Sequence, residues 1–283
     1  MSKSQKQPIK NRISAIAKAN GKTFNQVWDE VVLERWLARL AASEHKKYFI
    51  FKGGLCLTQC IDLHRVTRDL DFLVRGIDAE LETIREAIKD VSSLDLEDGC
   101  KFSGVTVKTL AHKHMNYPGF SVTALAKLGT TETKLSIDLG VGDIVKPQNL
   151  SIHLSANDNV PLFEKEIALW AYPIEVIFAE KFETAVSRGG ANSRMKDYLD
   201  MILLLRSLEM EPEKLKKAIA ATFENRKTQL RALEFSEAEV KTLQGRWRNF
   251  GKSISADATD KISQDFKRII SEINKTLAAL SVF

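Results

Sequence analysis

The sequence predicts an α+β fold: a mixed-sheet core carrying helices, followed by a helical C-terminal domain. Three observations carry this. Between Gly99 and Gly140 lie three β-rich runs, KFSGVTVKTL, GFSVTALAKL and TKLSIDLG, separated by turn signals at Asn116–Gly119 and Gly129-Thr130. Upstream of them, short strand-like segments alternate with stretches of helical period. From Pro173 onward the chain reads as helical to its end. The expected organisation is a basic tail over residues 1–22, a core with its N-terminal helix over 23–160, and a helical domain over 161–283.

The elements follow in order. The first dozen residues read as a loose basic tail. Thr23-Phe-Asn-Gln26 is a capping-box pattern, so a helix follows to about Ala42. Trp28, Val32, Trp36 and Leu40 recur every four residues along it and form a stripe to bury. Lys47–Phe51 is a short strand running into Gly53-Gly54, after which LCLTQCIDL suits a helix. Asp69–Val74 is the next strand. Asp78 caps a helix with Leu81, Ile84, Ile88 and Val91 on one face. The stretch SIHLSANDNVPLF reads as irregular connection, and Pro173 fits a first helical turn. Trp170, Tyr172 and the other aromatics are assigned to the core.

Composition narrows the function classes. With 44% hydrophobic and 28% charged residues, the 283-residue chain is of ordinary globular type. No apolar run approaches the roughly 20 residues of a membrane span. No apolar segment follows the basic start, so it is not read as a secretory signal. Three cysteines, Cys56, Cys60 and Cys100, make no disulfide framework and no zinc site, which places the chain in a reducing cytoplasm. The net charge of +5 is unevenly spread. Residues 1–50 hold 10 Lys/Arg against 4 Asp/Glu, and residues 201–283 hold 15 against 11, leaving 17 against 22 between them. An acidic centre between basic flanks suits a metal site presented to a polyanion, or equally a set of solvated helix faces.

The chemistry concentrates in the centre. A strand alternates its faces, so Asp69 and Asp71 point together while Leu70, Phe72 and Val74 point into the core. Two carboxylates held close repel unless a cation lies between them. In Lys134–Leu139 the same alternation turns Asp138 away from Leu135, Ile137 and Leu139. If the two strands are neighbours, three carboxylates converge on one face, a hard-cation site for magnesium or manganese. Gly53-Gly54, at the end of a strand and the start of a helix, is either a tight turn or a phosphate cradle of bare N–H groups. Downstream, Lys181 and Arg188 are spaced i, i+7 on one helix. Asp197 heads an otherwise apolar stripe with Met201, Leu204 and Leu208 on the next, where it needs a cation such as Lys181 or Arg194. His112 and His114 have no accompanying ligand cluster. Toward the C-terminus, Lys214, Lys216 and Lys217, then Arg246 and Arg248 around Trp247, then Lys267 and Arg268 either track an RNA backbone with Trp247 as a stacking surface, or flank a Trp247 that anchors the core.

Phe51-Lys-Gly-Gly54, Arg65-Val-Thr-Arg-Asp-Leu-Asp-Phe72, Ile137-Asp-Leu139, Glu175–Lys181 with Arg188, and Arg194-Met-Lys-Asp197 together resemble the AbiEii/AbiGii toxin family. These are nucleotidyltransferases of bacterial abortive-infection and toxin–antitoxin systems, with the MenT tRNA-modifying toxins as relatives. The resemblance spans about residues 24–205. It implies a nucleotidyltransferase-like core with Asp69 and Asp71 binding Mg2+ or Mn2+ and Asp138 as third metal carboxylate. It further implies Lys181 on the nucleoside triphosphate, Arg188 and the amides of Gly53 and Gly54 at the nucleotide, and Asp197 as an additional active-site acid. The implied acceptor is an RNA, first of all the 3′ end of a tRNA, and the implied partner is a cognate antitoxin, often a winged-helix regulator, with no membrane involved. Gly53-Gly54 departs from the common Gly-Ser, which removes a serine hydroxyl from the phosphate. Two other readings of the same residues stand beside this one: a metal-dependent glycosyltransferase using the Asp-x-Asp pair, and a non-catalytic interaction module with a degenerate core.

Overall fold

A computed structural model describes residues 9–61, 67–110, 119–157, 159–207, 210–252, 254 and 262–283. The chain divides into two compact units, residues 1–59, 67–142 and 147–171 in the first and residues 60–66, 143–146 and 172–283 in the second. In the first, helices α1 (Ile9–Ala19) and α2 (Phe24–Ala42) precede β1 (Phe49–Lys52), the short α3 (Gly53–Thr58), β2 (Asp69–Val74) and α4 (Leu81–Ser93). Strands β3 (Cys100–Leu110), β4 (Gly119–Leu128), β5 (Thr131–Val141), β6 (Gln148–His153), β7 (Ala156–Asn157), β8 (Val160–Pro161) and β9 (Glu166–Ala171) follow. The second unit holds α5 (Ile174–Arg188), α6 (Met195–Arg206), α7 (Pro212–Asn225), α8 (Glu237–Gly251) and α9 (Phe266–Ala279). The fold is therefore α+β, a mixed sheet with helices followed by a helical region.

Seven strands form one sheet in the order β3-β4-β5-β2-β1-β9-β6, while β7 and β8 make a separate hairpin. The expected meander β3-β4-β5 is present, and β5 then lies parallel to β2. One face of the sheet is sealed by α2, whose Trp28, Val32, Trp36 and Leu40 are all 2% exposed or less. Trp36 meets Phe72 of β2 at 5.6 Å between ring centroids, and Phe49 and Phe51 of β1 crowd the same ring at 6.2 and 5.5 Å. The capping box forms in both directions between Thr23 and Gln26. Such a cap contributes about 1 kcal/mol.

A buried ion network fixes α2 against the start of β3. Asp98 accepts from Arg35 Nε at 2.6 Å and from both terminal nitrogens of Arg39 at 2.8 and 2.9 Å, and Arg39 also donates to the Cys100 carbonyl. Burial by itself would raise the Asp98 carboxyl, but bonds from Arg39 and Arg35 more than offset it and hold the pKa below the usual range. Arg35 also pairs with Glu164 and lies 4.3 Å from the Phe163 ring centroid. In the second unit the aromatics build the core: Phe182 meets Phe223 at 5.3 Å, Tyr198 meets Phe266 edge-on at 5.0 Å, and Trp247 meets Phe266 at 5.8 Å.

The structure corrects the sequence reading in several places. The expected loose tail is helical from Ile9, because Ile13, Ile16 and Ala17 fall at helical spacing and are buried. Strand β1 starts at Phe49, with Glu44–Lys47 a 3₁₀ turn before it. Helix α4 begins at Leu81 with Glu80, rather than Asp78, at its N-cap. The stretch expected to be irregular contains the end of β6 and the β7–β8 hairpin, and β9 follows it, lying parallel to β1 with Ala171 beside Phe51. Its antiparallel partner β6 is close in the chain, but its parallel neighbour β1 is more than a hundred residues away, so no local signal announces that pairing. Tyr172 is buried as expected, but Trp170 is 43% exposed. Arg65, His112, His114, Leu208 and residues 116–118 lie outside the described residues.

Glu34 of α2 is a carboxyl displaced by burial. Burial raises its pKa to about 7, against the opposing bonds it accepts from the Ser155 amide at 3.0 Å and hydroxyl at 2.8 Å. The folded state then binds a proton more tightly than the unfolded one, so stability falls as pH rises from about 4.5 to about 7 and is level above. Glu34→Gln should therefore raise the melting temperature at pH 8, by a free energy on the order of 1–3 kcal/mol, and change little at pH 4. Thermal unfolding at the two pH values checks this; an equal shift at both would remove the ionisation argument.

Candidate functional site

The first group of site residues is built by strand pairing within the first unit. In the parallel β2–β5 ladder, Leu70 lies beside Ile137, Asp71 beside Asp138, and Phe72 beside Leu139. Leu70, Phe72, Ile137 and Leu139 are all buried, at 2% exposure or less. Their burial forces Asp71 and Asp138 to the opposite face as side-by-side neighbours, because adjacent strand residues alternate. Asp69 shares that face, next to Ser136. The three carboxylates thus occupy one face, as their spacing predicts. They do not close into a single group, however: among the described residues no three acidic, histidine or cysteine side chains gather as metal ligands. Asp69 stands two residues along the strand from Asp71, a separation of about 6.6 Å, and its cross-strand neighbour is a serine.

Two glycines and a lysine shape the surroundings of Asp71. Gly53 begins α3 with φ of +76°, a left-handed conformation that L side chains resist. A Cβ placed on it would lie 2.0 Å from Asp71 Oδ2 and 2.6 Å from Asp71 Cβ. The backbone of Gly53 is therefore packed directly on the carboxylate. At the start of α3, Lys52 supplies no side-chain cap, and Gly53 and Gly54 open the helix. Lys52 is paired with Asp71 across the β1–β2 ladder, and its Nζ would lie 3.7 Å from a Cβ built at Gly140, two residues past Asp138. The sequence reading gave Lys52 no role. Its position next to Gly53, one residue before the turn, was the available signal, but only pairing with β2 brings its cation to this face.

The second group lies wholly within the second unit. Lys181 of α5 donates to Asp197 Oδ1 at 2.6 Å and pairs with Asp200 Oδ2 at 2.9 Å, both on α6. Arg194 reaches the other Asp197 oxygen at 2.7 Å. Both cations expected for Asp197 are thus present. Burial by itself would lower the Lys181 pKa, but Asp200 and Asp197 outweigh it and keep the amine charged above its ordinary value. Burial likewise works to raise Asp197, and Lys181 and Arg194 hold it low. Asp200 was missed by the sequence reading, although its i+3 spacing from Asp197 puts it on the same helix face. Arg188, expected to share the face of Lys181, is exposed in the last turn of α5.

The loop between these helices explains the fate of the C-terminal basic residues. Arg246 donates to the carbonyls of Gly190 at 3.1 Å and Asn192 at 2.8 Å, while Glu239 accepts from the Gly190 amide at 3.2 Å. Trp247 is 1% exposed and donates to the Ser263 carbonyl. Of the two readings of this segment, the core anchor is the one realised. Lys214 pairs with Glu211 at the N-cap of its helix, and Lys216 with Glu213 in the first turn.

Gly53→Ala should displace the Asp71 carboxylate and strain the turn, at a cost on the order of 1–3 kcal/mol. Whatever activity depends on Asp71 should then be lost with the fold retained. Circular dichroism and the activity assay described below check it; a fully active alanine variant would remove Gly53 from the site.

The model of the family described as nucleotidyl transferase AbiEii toxin, Type IV TA system, matches residues 35–272. Among solved structures the chain is similar to JHP933 from Helicobacter pylori at 12% identity and a TM-score of 0.49, covering 91% of this chain and 92% of that one. A second H. pylori structure is similar at 12% identity and a TM-score of 0.48, with 91% of this chain and 95% of that one covered. No curated protein sequence matches the chain. The assignment rests on the family match, which spans most of the chain and contains every residue of both groups: this protein belongs to the AbiEii family of nucleotidyl transferase toxins.

Proposed function

We propose that the protein transfers a nucleotidyl group from a nucleoside triphosphate to an RNA acceptor, first of all the 3′ end of a tRNA, as the cytoplasmic toxin of a bacterial toxin–antitoxin or phage-defence system. The observation that carries the reading is the side-by-side placement of Asp71 and Asp138 on the polar face of β2 and β5, with Gly53 packed on Asp71. Membership of a nucleotidyl transferase family sets aside the glycosyltransferase alternative. A partner antitoxin follows from the family's place in toxin–antitoxin systems, and a winged-helix regulator is the partner to test first.

In the proposed reaction an acceptor hydroxyl oxygen bonds to the α-phosphorus, the bond from that phosphorus to the bridging oxygen breaks, and pyrophosphate leaves with the electron pair. Asp138 is exposed on its strand and takes up the hydroxyl proton. The donor set is anionic oxygen alone, which fits Mg2+ or Mn2+ held by Asp71 and Asp138, with Asp69 as a further ligand. Such an ion, when bound, offsets phosphate charge and polarises the phosphorus–oxygen bonds. Lys52 supplies a fixed cation on the same face, and the amides of Gly53 and Gly54 donate to phosphate oxygens. Lys181, kept charged by Asp197 and Asp200, is assigned to the triphosphate, and Arg188 is the second cation of that helix.

Lys181→Ala would leave Asp197 and Asp200 buried without their amine, a loss of about 3–5 kcal/mol, and so tests stability more than catalysis. Lys181→Arg keeps the charge with a different donor geometry. It should fold and show a raised KM for the triphosphate; wild-type kinetics in the folded variant would make Lys181 a purely structural residue.

The central test uses Asp71. Purified protein incubated with total bacterial tRNA, a divalent cation and each labelled triphosphate in turn should label RNA, and Asp71→Ala should not, while melting no lower than wild type. Expression of the wild type should slow bacterial growth and that of Asp71→Ala should not. Transfer retained by the variant would overturn the reading.

A further inference from the structure

The face that bears Asp71 and Asp138 continues across β5, β4 and β3, and its residues are fixed by register. Asp138 lies beside Ser121, which lies beside Lys108. One pleat along, Ser136, Thr123 and Thr106 form the next row. Lys134, Leu125 and Ser103 form the third, and Glu132, Lys127 and Lys101 the fourth. Opposite them the buried face carries Val107, Val122, Ala124, Ala126, Leu135 and Ile137. The polar face is open: Lys101, Lys108, Lys127 and Lys134 are all exposed.

Across these rows four lysines face two acids, Asp138 and Glu132. Lys127 is neutralised by Glu132 at 2.9 Å. The side chains of Lys101, Lys108 and Lys134 have no hydrogen-bond or ion-pair partner among the described residues. Strand geometry puts Lys134 about 13 Å along β5 from Asp138, and Lys108 about 10 Å across two strands from it. Among these cations Leu125 is 39% exposed, an apolar surface in the middle of a charged sheet face. An open sheet face with spaced lysines that have no ion pair among the described residues, and an apolar patch between them, fits a polyanion whose rings are apolar. Three basic residues elsewhere bond to the fold: Arg246 holds the Gly190 and Asn192 carbonyls, Lys10 donates to Thr130, and Arg12 donates to the Pro161 carbonyl.

We propose that this face is where the acceptor docks: a single-stranded RNA segment lies across β3, β4 and β5, its phosphates on Lys101, Lys108 and Lys134, a base against Leu125, and its terminal hydroxyl at Asp138. The proposal rests on reading the Asp71–Asp138 pair as the transfer site. The docking itself requires no turnover, so binding can be measured apart from it.

The test measures binding of a short 5′-fluorescein-labelled single-stranded RNA with a free 3′ hydroxyl to the full-length protein, without triphosphate, over a potassium chloride series. Each phosphate neutralised on a single strand adds about 0.7 to the slope of log affinity against log salt, so Lys108→Gln/Lys134→Gln should flatten that slope by about 1.4. A control of equal net charge on helices of the second unit, Lys241→Gln/Lys267→Gln, should keep the wild-type slope. In the transfer assay the sheet variant should show a raised KM for RNA and an unchanged KM for the triphosphate. Each substitution is on an exposed side chain and keeps the aliphatic stem, so the melting temperature should hold. A wild-type slope in the sheet variant, or equal flattening in the control, would overturn the proposal. So would unaltered RNA binding accompanied by lost binding of the antitoxin, which would make the face a protein interface. Failure of triphosphate transfer by the wild type, with the slopes as expected, would instead count against the proposed reaction.

Discussion

The parallel register between β2 and β5 is the constraint on which the first unit depends. Leu70 with Ile137 and Phe72 with Leu139 seal the face beneath Trp36 of α2, and the same ladder sets Asp71 beside Asp138 on the other. A slip of one residue would send the carboxylates into the core and the phenylalanine to solvent, so the packing energy of the core enforces the geometry of the polar face. The placement of the acids is thus a consequence of burial. Gly53 adds a second condition, since only a residue without a Cβ allows the β1–α3 turn to rest on Asp71.

Charge is handled differently in the interior and on the open face. Inside, Asp98 receives two arginines, and Lys181 receives two aspartates with Arg194 behind one of them. In the second unit Arg226 similarly meets Glu183 at 2.9 Å, Glu180 at 3.2 Å and Asp143 at 3.3 Å. Each buried group has several partners, because removing water from an ion costs several kcal/mol unless its bonds are replaced. Such networks add little net stability over apolar packing, yet they hold helices at fixed angles, since any displacement leaves a charge uncompensated. On the sheet face, by contrast, Lys101, Lys108 and Lys134 are exposed and have no ion pair among the described residues, an arrangement that leaves their charge available to a ligand.

Local periodicity carried much of the architecture. The capping box at Thr23 and Gln26, the four-residue stripe of α2, the alternation in Asp69–Val74 and in Lys134–Leu139, and the meander turns are all properties of neighbouring residues. By itself the sequence determined that Asp69 and Asp71 share a face, that Asp138 opposes its apolar neighbours, and that Asp197 needs a cation. Tertiary structure decided which residues meet. Pairing of β9 with β1, of Asp71 with Asp138, and of Lys52 with Asp71 joins segments far apart in the chain, and strand period is silent about partners. The same is true of helices: spacing placed Asp200 on the face of Asp197, but only the packing of α5 on α6 brought Lys181 to both. Trp247 and Trp170 make the point in opposite directions, one buried within a basic cluster and the other exposed on a strand, because an aromatic side chain follows the contacts its element finds. Periodicity specifies a face, and non-local packing selects what that face meets.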